Sequence, residues 1–362
     1  MGGVLGDPVA RAPWVRAGVQ SYGWAAAYVL FALLCAACGW FSLRDTRSQA
    51  EAARRQDAWP ADDVPPSRSR QLLWAALAAT GSFLLLAVTN HICENISSIP
   101  LLWIVPLSIY LLTFILCFDG SRWYRRDLIA ATLAAALGVM GWTLASRGLT
   151  HRLELQIAVF CIGLFIACMF CHGELARLKP APRYLTRFYL MVSAGGALGS
   201  ALVGIVAPLV LPAYFELSFG LVACAVLLAW QMRREHPVFI TLAAAAVLFT
   251  LGTAGWGINE FYEGTILAER NFYGVLRVQD SGVAAGRHRS LIHGTILHGN
   301  QYLAPDLARL PTTYYTHTSG LGRALESMHP TTRRLKIGVI GLGTGNGRRV
   351  AIMANDPTVK AG

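Results

Sequence analysis

Of 362 residues, 54% are hydrophobic and only 14% charged, against roughly 25% charged in average soluble domains. That balance excludes an ordinary soluble globule and points to a polytopic membrane protein. The formal charge is +11 and almost all of the basic excess is arginine. These residues fall in short loops between apolar runs, so the expected partner is the lipid bilayer and nucleic acid is not expected. All eight cysteines (Cys35, Cys38, Cys93, Cys117, Cys161, Cys168, Cys171 and Cys224) lie in or beside apolar runs, which reads as packing rather than as a disulfide framework.

Crossing the hydrocarbon takes about 20 apolar residues. Eight stretches approach that length: Gly23 to Phe41, Leu72 to Thr89, Leu101 to Phe118, Leu128 to Ala145, Leu155 to Cys171, Phe188 to Leu211, Leu217 to Trp230 and Val238 to Gly255. Seven to eight spans are expected. The first is too long for a signal-peptide core and lacks a clear cleavage site, so it reads as a retained helix. Ser42 to Arg70, with Pro60, Pro65 and Pro66, is a solvated linker. The predicted organisation is a first segment and helix (residues 1–41), a cytoplasmic linker (42–71), a helical bundle (72–255), a small β-stranded unit (256–335) and the start of a Rossmann-like domain (336–362).

Charge orients the bundle. The loops Ser42 to Gln71, Asp119 to Asp127, His172 to Arg187 and Gln231 to Pro237 together carry fifteen Lys and Arg, and the opposite set carries four. The first set is expected to be cytoplasmic, in a multi-pass protein of the inner (plasma) membrane. If Val238 to Gly255 spans, the segment after it emerges on the outer face.

Several polar features interrupt the apolar sequence. His91, Glu94 and Asn95 end the second stretch, and carry two readings: a substrate or proton site within the bundle, or interfacial residues that cap helix ends. Cys168, Cys171 and His172 spell the C-x-x-C-H of covalent haem attachment. They end an apolar run on the side assigned as cytoplasmic, with no evident axial methionine, so the context argues against haem. Zinc there lacks an obvious fourth ligand, although Glu174 is near. Gly195 and Gly199, four apart in SAGGALGS, predict close helix packing rather than a phosphate loop.

From Asn259 the texture changes. Glu269 to Val278 and Ser290 to Leu297 read as strands, with a turn over Asp280 to Arg287, and Thr312 to Leu325 as a loop entering a helix. Ile337 to Ile340 then feeds Gly341, Gly343 and Gly345, the pattern of a buried strand delivering a close-approach loop to a helix start. A lone strand and helix start cannot bury their faces, so poor order is expected beyond Lys336.

The order ERNFYGVLRV, HGTILHGNQ, TYY followed by SGLGRAL, and IGVIGLGTG resembles the C-terminal half of the fused major-facilitator/spermidine synthase membrane proteins. Upstream, ISSIPLLWIVPLSIYLLTFIL, CHGELARLKPAPRYLTRFYL and SAGGALGS resemble the same family's bundle. The resemblance runs from about Leu72 to Gly345. It implies a β-stranded subdomain before a Rossmann-like, methyltransferase-type domain, similar to enzymes that move an aminopropyl group from decarboxylated S-adenosylmethionine to putrescine. The donor would meet Gly341, Gly343 and Gly345, with Tyr315 and Gln301 as further pocket residues. The chain departs from that pattern at Thr344, where soluble synthases usually have an acid. The expected ribose-binding and amine-deprotonating acids are not recognisable, since Asp356 falls too close to the glycines. The expectation is therefore a C-terminally truncated member with an inactive aminopropyltransferase-like domain. The alternative is a transporter-like or ligand-binding bundle, with a polyamine as the ligand. No catalytic residue or metal ligand is assigned.

Overall fold

The computed structural model describes residues 65–96, 101–146, 152–271, 274–294, 296–313, 316–320 and 323, with scattered helical positions between 26 and 40. Within this range the chain is mainly helical: α1 (Arg68–Asn90), α2 (Ile104–Asp119), α3 (Arg126–Ala145), α4 (Leu153–Arg177), α5 (Leu185–Ala201), the short α6 (Ala207–Val210), α7 (Glu216–Met232) and α8 (Pro237–Tyr262). Four strands follow, β1 (Thr265–Asn271), β2 (Gly274–Ser281), β3 (His288–His293) and β4 (Ile296–Tyr302).

Five helical stretches among the described residues are long and apolar enough to cross a membrane: Arg68–Cys93, Arg126–Ala145, Glu154–Arg177, Pro182–Val210 and Pro237–Tyr262. Two more apolar helices, α2 and α7, are shorter. Of the eight predicted stretches, five thus have the length and composition of a span, Leu101 to Phe118 and Leu217 to Trp230 correspond to the two shorter helices, and most of Gly23 to Phe41 lies outside the described residues, so the described residues bear out five spans and not the predicted seven to eight. The long helices present apolar side chains outward, as Ile240, Leu248, Phe249 and Leu251 do on α8. An apolar exterior of this kind suits lipid, where a helix satisfies its own backbone. Hydroxyls inside the spans are satisfied locally: Thr89, Thr132, Thr143, Thr250 and Thr253 each donate to the carbonyl four residues earlier.

The chain divides into two compact units. The first comprises Met1–Leu73 and Leu178–Met191. Here the start of α1 is fixed by Gln71 Nε2 donating to Pro66 O (2.8 Å) and by Arg70 Nη2 donating to Leu178 O (3.2 Å).

The second unit, Trp74–Arg177 and Val192–Gly362, holds most of the bundle and the sheet. Helix α8 packs on α3 and α7, while α4 packs on α2 and α3. Trp74, Leu77, Leu84, Leu133, Leu137, Phe160, Leu164 and Phe170 are fully enclosed. The Gly195/Gly199 pair does what the small-residue spacing predicts. A Cβ at Gly195 would stand 2.3 Å from Ala75 O and one at Gly199 2.1 Å from Ala79 O, so α5 meets the α1 backbone directly. Two π-helical segments, His91–Ile96 after α1 and Leu202–Val206 after α5, break the regular winding. The second has a covalent cause, because Pro208 has no N–H for the Gly204 carbonyl.

The sheet corrects the strand assignment. It is an antiparallel meander in the order β1-β2-β3-β4. Each predicted strand straddles the reversal between two antiparallel strands. Glu269 to Val278 covers the end of β1 and the start of β2, with Asn271 paired to Gly274. Ser290 to Leu297 likewise covers β3 and β4, with His293 paired to Ile296. The turns depend on glycine: Gly274 has φ 145° and Gly294 φ 60°. The predicted turn over Asp280 to Arg287 is present, with Gly282 at φ 85°. Beyond the sheet, Arg323 N–H donates to Ser319 O (2.9 Å), the entry to the expected helix. Residues 324–362, which include the predicted Rossmann-like start, lie outside the described residues.

Candidate functional site

Two buried carboxylates organise opposite ends of α7 in the second unit. At its C-terminal end, Glu174 near the end of α4 is 2% exposed. Its Oε1 accepts from Tyr124 Oη (2.8 Å), Arg126 Nε (2.9 Å) and Arg177 Nη1 (3.0 Å), and its Oε2 from Gln231 Nε2 (2.5 Å). Arg126 also pairs with Glu235 and donates to Gln231 O (3.0 Å). Two arginines and two glutamates leave the cluster neutral. Burial, and then the charge of Glu174, push the Tyr124 phenol well above its ordinary value, so Tyr124 acts only as a donor. Its ring lies over Gly173, where a Cβ would stand 2.2 Å from the ring edge. Three of the arginine-rich loops grouped by the charge count, Asp119 to Asp127, His172 to Arg187 and Gln231 to Pro237, thus converge on one carboxylate.

At the other end, Glu216 opens α7 and meets Arg270 of β1 in a pair whose side chains are each 2% exposed. Nη1 donates to Oε2 and Nη2 to Oε1, both at 2.8 Å, and Nη1 also donates to Ala213 O (2.8 Å). The guanidinium lies over the Tyr214 ring, 4.3 Å from its centroid. Next to the pair is a cleft of about 170 Å³ lined by Asn90, Val203, Gly204, Pro208, Tyr214, Arg270 and Asn271. Its walls therefore include the end of α1 and one π-helical segment.

A third cluster lies inside the bundle. His172 is 1% exposed, and its Nδ1 lies 3.1 Å from Thr113 Oγ1. The Tyr110 and Phe114 rings stand edge-on to it at 4.7 and 5.2 Å. Its Nε2 has no partner among the described residues. Cys168 and Cys171 are buried beside it, but no group of three metal-ligating side chains is suitably placed among the described residues. Glu174, the nearest extra ligand in sequence, has both oxygens occupied by donors. The C-x-x-C-H residues are thus buried among the packed helices.

In the sheet, the half-buried Asp280 is a paired carboxylate. It accepts from Arg289 Nε (2.8 Å) and Nη2 (3.1 Å) across the strands and from Arg287 Nη2 (3.3 Å). The Arg289 hydrogen bond holds the Asp280 carboxyl below the usual range, and Asp280 in turn raises Arg289. Burial, reinforced by His293, lowers His298.

Of the residues assigned from sequence, Gly341, Gly343, Gly345 and Tyr315 lie outside the described residues. Gln301 sits on β4 opposite Arg289, is exposed, and donates weakly to Ala308 O (3.5 Å). It is not part of the cleft. His91 occupies the π segment with its ring 4.5 Å from Phe160. Sequence reasoning missed Arg126, Glu216 and Arg270, and weighed Glu174 only as a zinc ligand. The available signal was a charged residue at the margin of an apolar run, which needs a partner when the helix is buried. No family model, curated protein or solved structure matches the chain.

Proposed function

We propose that this chain is an integral membrane protein in which the helical bundle carries a spermidine synthase-like β unit as a fixed part of its surface, as the resemblance to the fused major-facilitator/spermidine synthase proteins implies. The observation that supports this reading is the Glu216–Arg270 pair. It joins β1 to the start of α7 with both charges out of water, so the sheet is seated on the bundle rather than tethered by a linker. The unit does not carry out aminopropyl transfer. Transfer to an amine needs a carboxylate free to take a proton. Asp280 is held by two arginines, and the buried carboxylates Glu174 and Glu216 are held by theirs. The same pairing argues against a polyamine inside the bundle, since a polycation would have to displace an arginine.

The test is direct. Purified protein is incubated with putrescine and decarboxylated S-adenosylmethionine, and spermidine is measured by mass spectrometry. No product above the no-protein control is expected, and catalytic turnover would sink the non-enzymatic reading. Thermal unfolding with and without spermidine separates out the polyamine alternative, for which stabilisation would be the supporting result.

A further inference from the structure

We propose that the end of the bundle where the α2–α3 and α7–α8 connections meet binds the headgroup of an anionic phospholipid. Buried pairing uses only part of the positive charge there. Arg126 and Arg177 are taken by Glu174 and Glu235 in the neutral cluster. The residue before each partner of the Arg126–Glu235 pair is another arginine, so that pair brings Arg125 and Arg234 to the same place. Both are exposed, and neither side chain has an ion-pair or hydrogen-bond partner among the described residues. Arg122 and Arg233, close to them in sequence, are exposed as well. Against these four guanidinium groups stand Asp119, which meets Arg122 at 3.6 Å with both side chains in water, and Asp127 in the first turn of α3. An exposed pair of that kind is worth little, so this end carries positive charge that the chain itself does not neutralise.

The neighbouring side chains identify the counter-charge as a lipid's. Phe219, Val226, Trp230 and Arg233 follow one another along α7 at helical spacing, which places them on one face, and all four are exposed. That face passes from apolar side chains to indole and then to guanidinium, the order in which a phospholipid offers acyl chain, interface and phosphate. The Arg233 guanidinium lies over the Trp230 ring, 4.0 Å from its centroid, which holds the charge at the depth of the indole. The α2–α3 connection repeats the arrangement: Trp123 is 47% exposed and the Arg122 guanidinium stands 5.3 Å from its ring. Tyr124 and Gln231, the residues that follow the two tryptophans, donate to the two oxygens of Glu174, so both Trp–Arg units are anchored to one buried carboxylate. A free phosphate or an acidic peptide would use the charge but not the apolar stripe that continues from it. The inference rests on the membrane reading proposed above and names a lipid class for it.

The experiment uses the full chain. Alkaline carbonate extraction of membranes comes first: release into the soluble fraction would overturn the membrane reading and the site with it, whereas a chain that stays behind and fails the next step overturns the site alone. The protein in detergent is then offered an equimolar mixture of phosphatidylglycerol and phosphatidylcholine, and bound lipid is measured by native mass spectrometry. Selective retention of phosphatidylglycerol is expected. A basic residue at a membrane surface is worth roughly fivefold in affinity for an anionic lipid, so Arg125→Gln and Arg234→Gln should each weaken that retention about fivefold and the double variant about 25-fold. Neither side chain has a partner to lose, and all three variants should unfold at the wild-type temperature in lipid-free detergent. Trp230→Ala should weaken retention of both lipids. Arg309→Gln, which removes an exposed arginine beyond β4, should bind like wild type. Equal retention of the two lipids, unchanged selectivity in the Arg125→Gln/Arg234→Gln variant, the same loss in Arg309→Gln, or retention indifferent to Trp230→Ala overturns the proposal. So does displacement of the lipid by inorganic phosphate or by a polyglutamate peptide at equal concentration, which would make this end a general anion surface.

Discussion

Tyr124 supplies one neutral donor to a buried carboxylate, and its removal isolates the worth of that bond. Tyr124→Phe should lower stability by about 1.5–3 kcal/mol, the range for hydrogen bonds to charged groups, read as a reduced unfolding temperature in detergent. Arg270 is the more severe case. Arg270→Ala leaves Glu216 charged and enclosed and should cost about 3–5 kcal/mol, whereas the Glu216→Gln/Arg270→Gln double variant should cost less than the single, because no lone charge remains. A double variant worse than Arg270→Ala would show that the pair contributes more than mutual neutralisation. Protons act on the sheet through Asp280 and His298. Both have folded pKa values below their unfolded ones, so each contributes stability above its unfolded pKa that is lost as pH falls through the folded value. The His298 contribution fades below about pH 6.5 and that of Asp280 below about pH 4. Hydrogen exchange of β3 and β4 amides, corrected for intrinsic rate, should therefore accelerate first between neutral pH and pH 5.

At the scale of elements, the contact between α1 and α5 depends on two missing side chains. Gly199→Val would drive two methyls into the Ala79 carbonyl and should cost about 1–3 kcal/mol by overpacking. The same change at Gly252 on α8, where a Cβ meets nothing within 4 Å, should be nearly neutral. This packing was legible in the sequence because four-residue spacing of glycines is a helical pattern. The strands were less so. The run ERNFYGVLRV keeps its aromatic and β-branched residues (Phe272, Tyr273, Val275 and Val278) close together, so composition alone does not divide it between two strands. Only Gly274 marks the reversal, and glycine is equally at home in a bulge. The π segments had no sequence signature apart from Pro208. The ion pairs were hidden for another reason: Glu216 and Arg270 are fifty-four positions apart, and only the closing of the meander onto α7 brings them together.

For the whole molecule, the clustering of basic loops predicts sidedness. The Glu174 end gathers three of the arginine-rich loops, and the sheet is seated at the Glu216 end. With the basic end in the cytoplasm, the sheet faces out. Cysteines introduced at Arg122 and Val283, which are 76% and 84% exposed, report the two ends. A membrane-impermeant maleimide should label Val283→Cys in intact cells and Arg122→Cys only after permeabilisation. The reverse pattern would invert the topology. Five of the eight apolar stretches read from hydropathy coincide with helices long enough to span, since the hydrocarbon imposes a length that a linear count can see. The donor-loop residues assigned by resemblance rest on 336–345, outside the described residues, and so gain no geometric support.

The two ion clusters also set a length. Helix α7 is pinned by Glu216 at one end and by Gln231 at the other, and its 17 residues rise only about 25 Å. A bilayer core is about 30 Å thick. Because both ends are held by buried charge, α7 cannot slide to bring its polar ends to the surface. A bilayer that met α7 over this length would have to be about 5 Å thinner there. Shorter acyl chains would relieve that mismatch, so the protein's stability should depend on the thickness of the membrane around it.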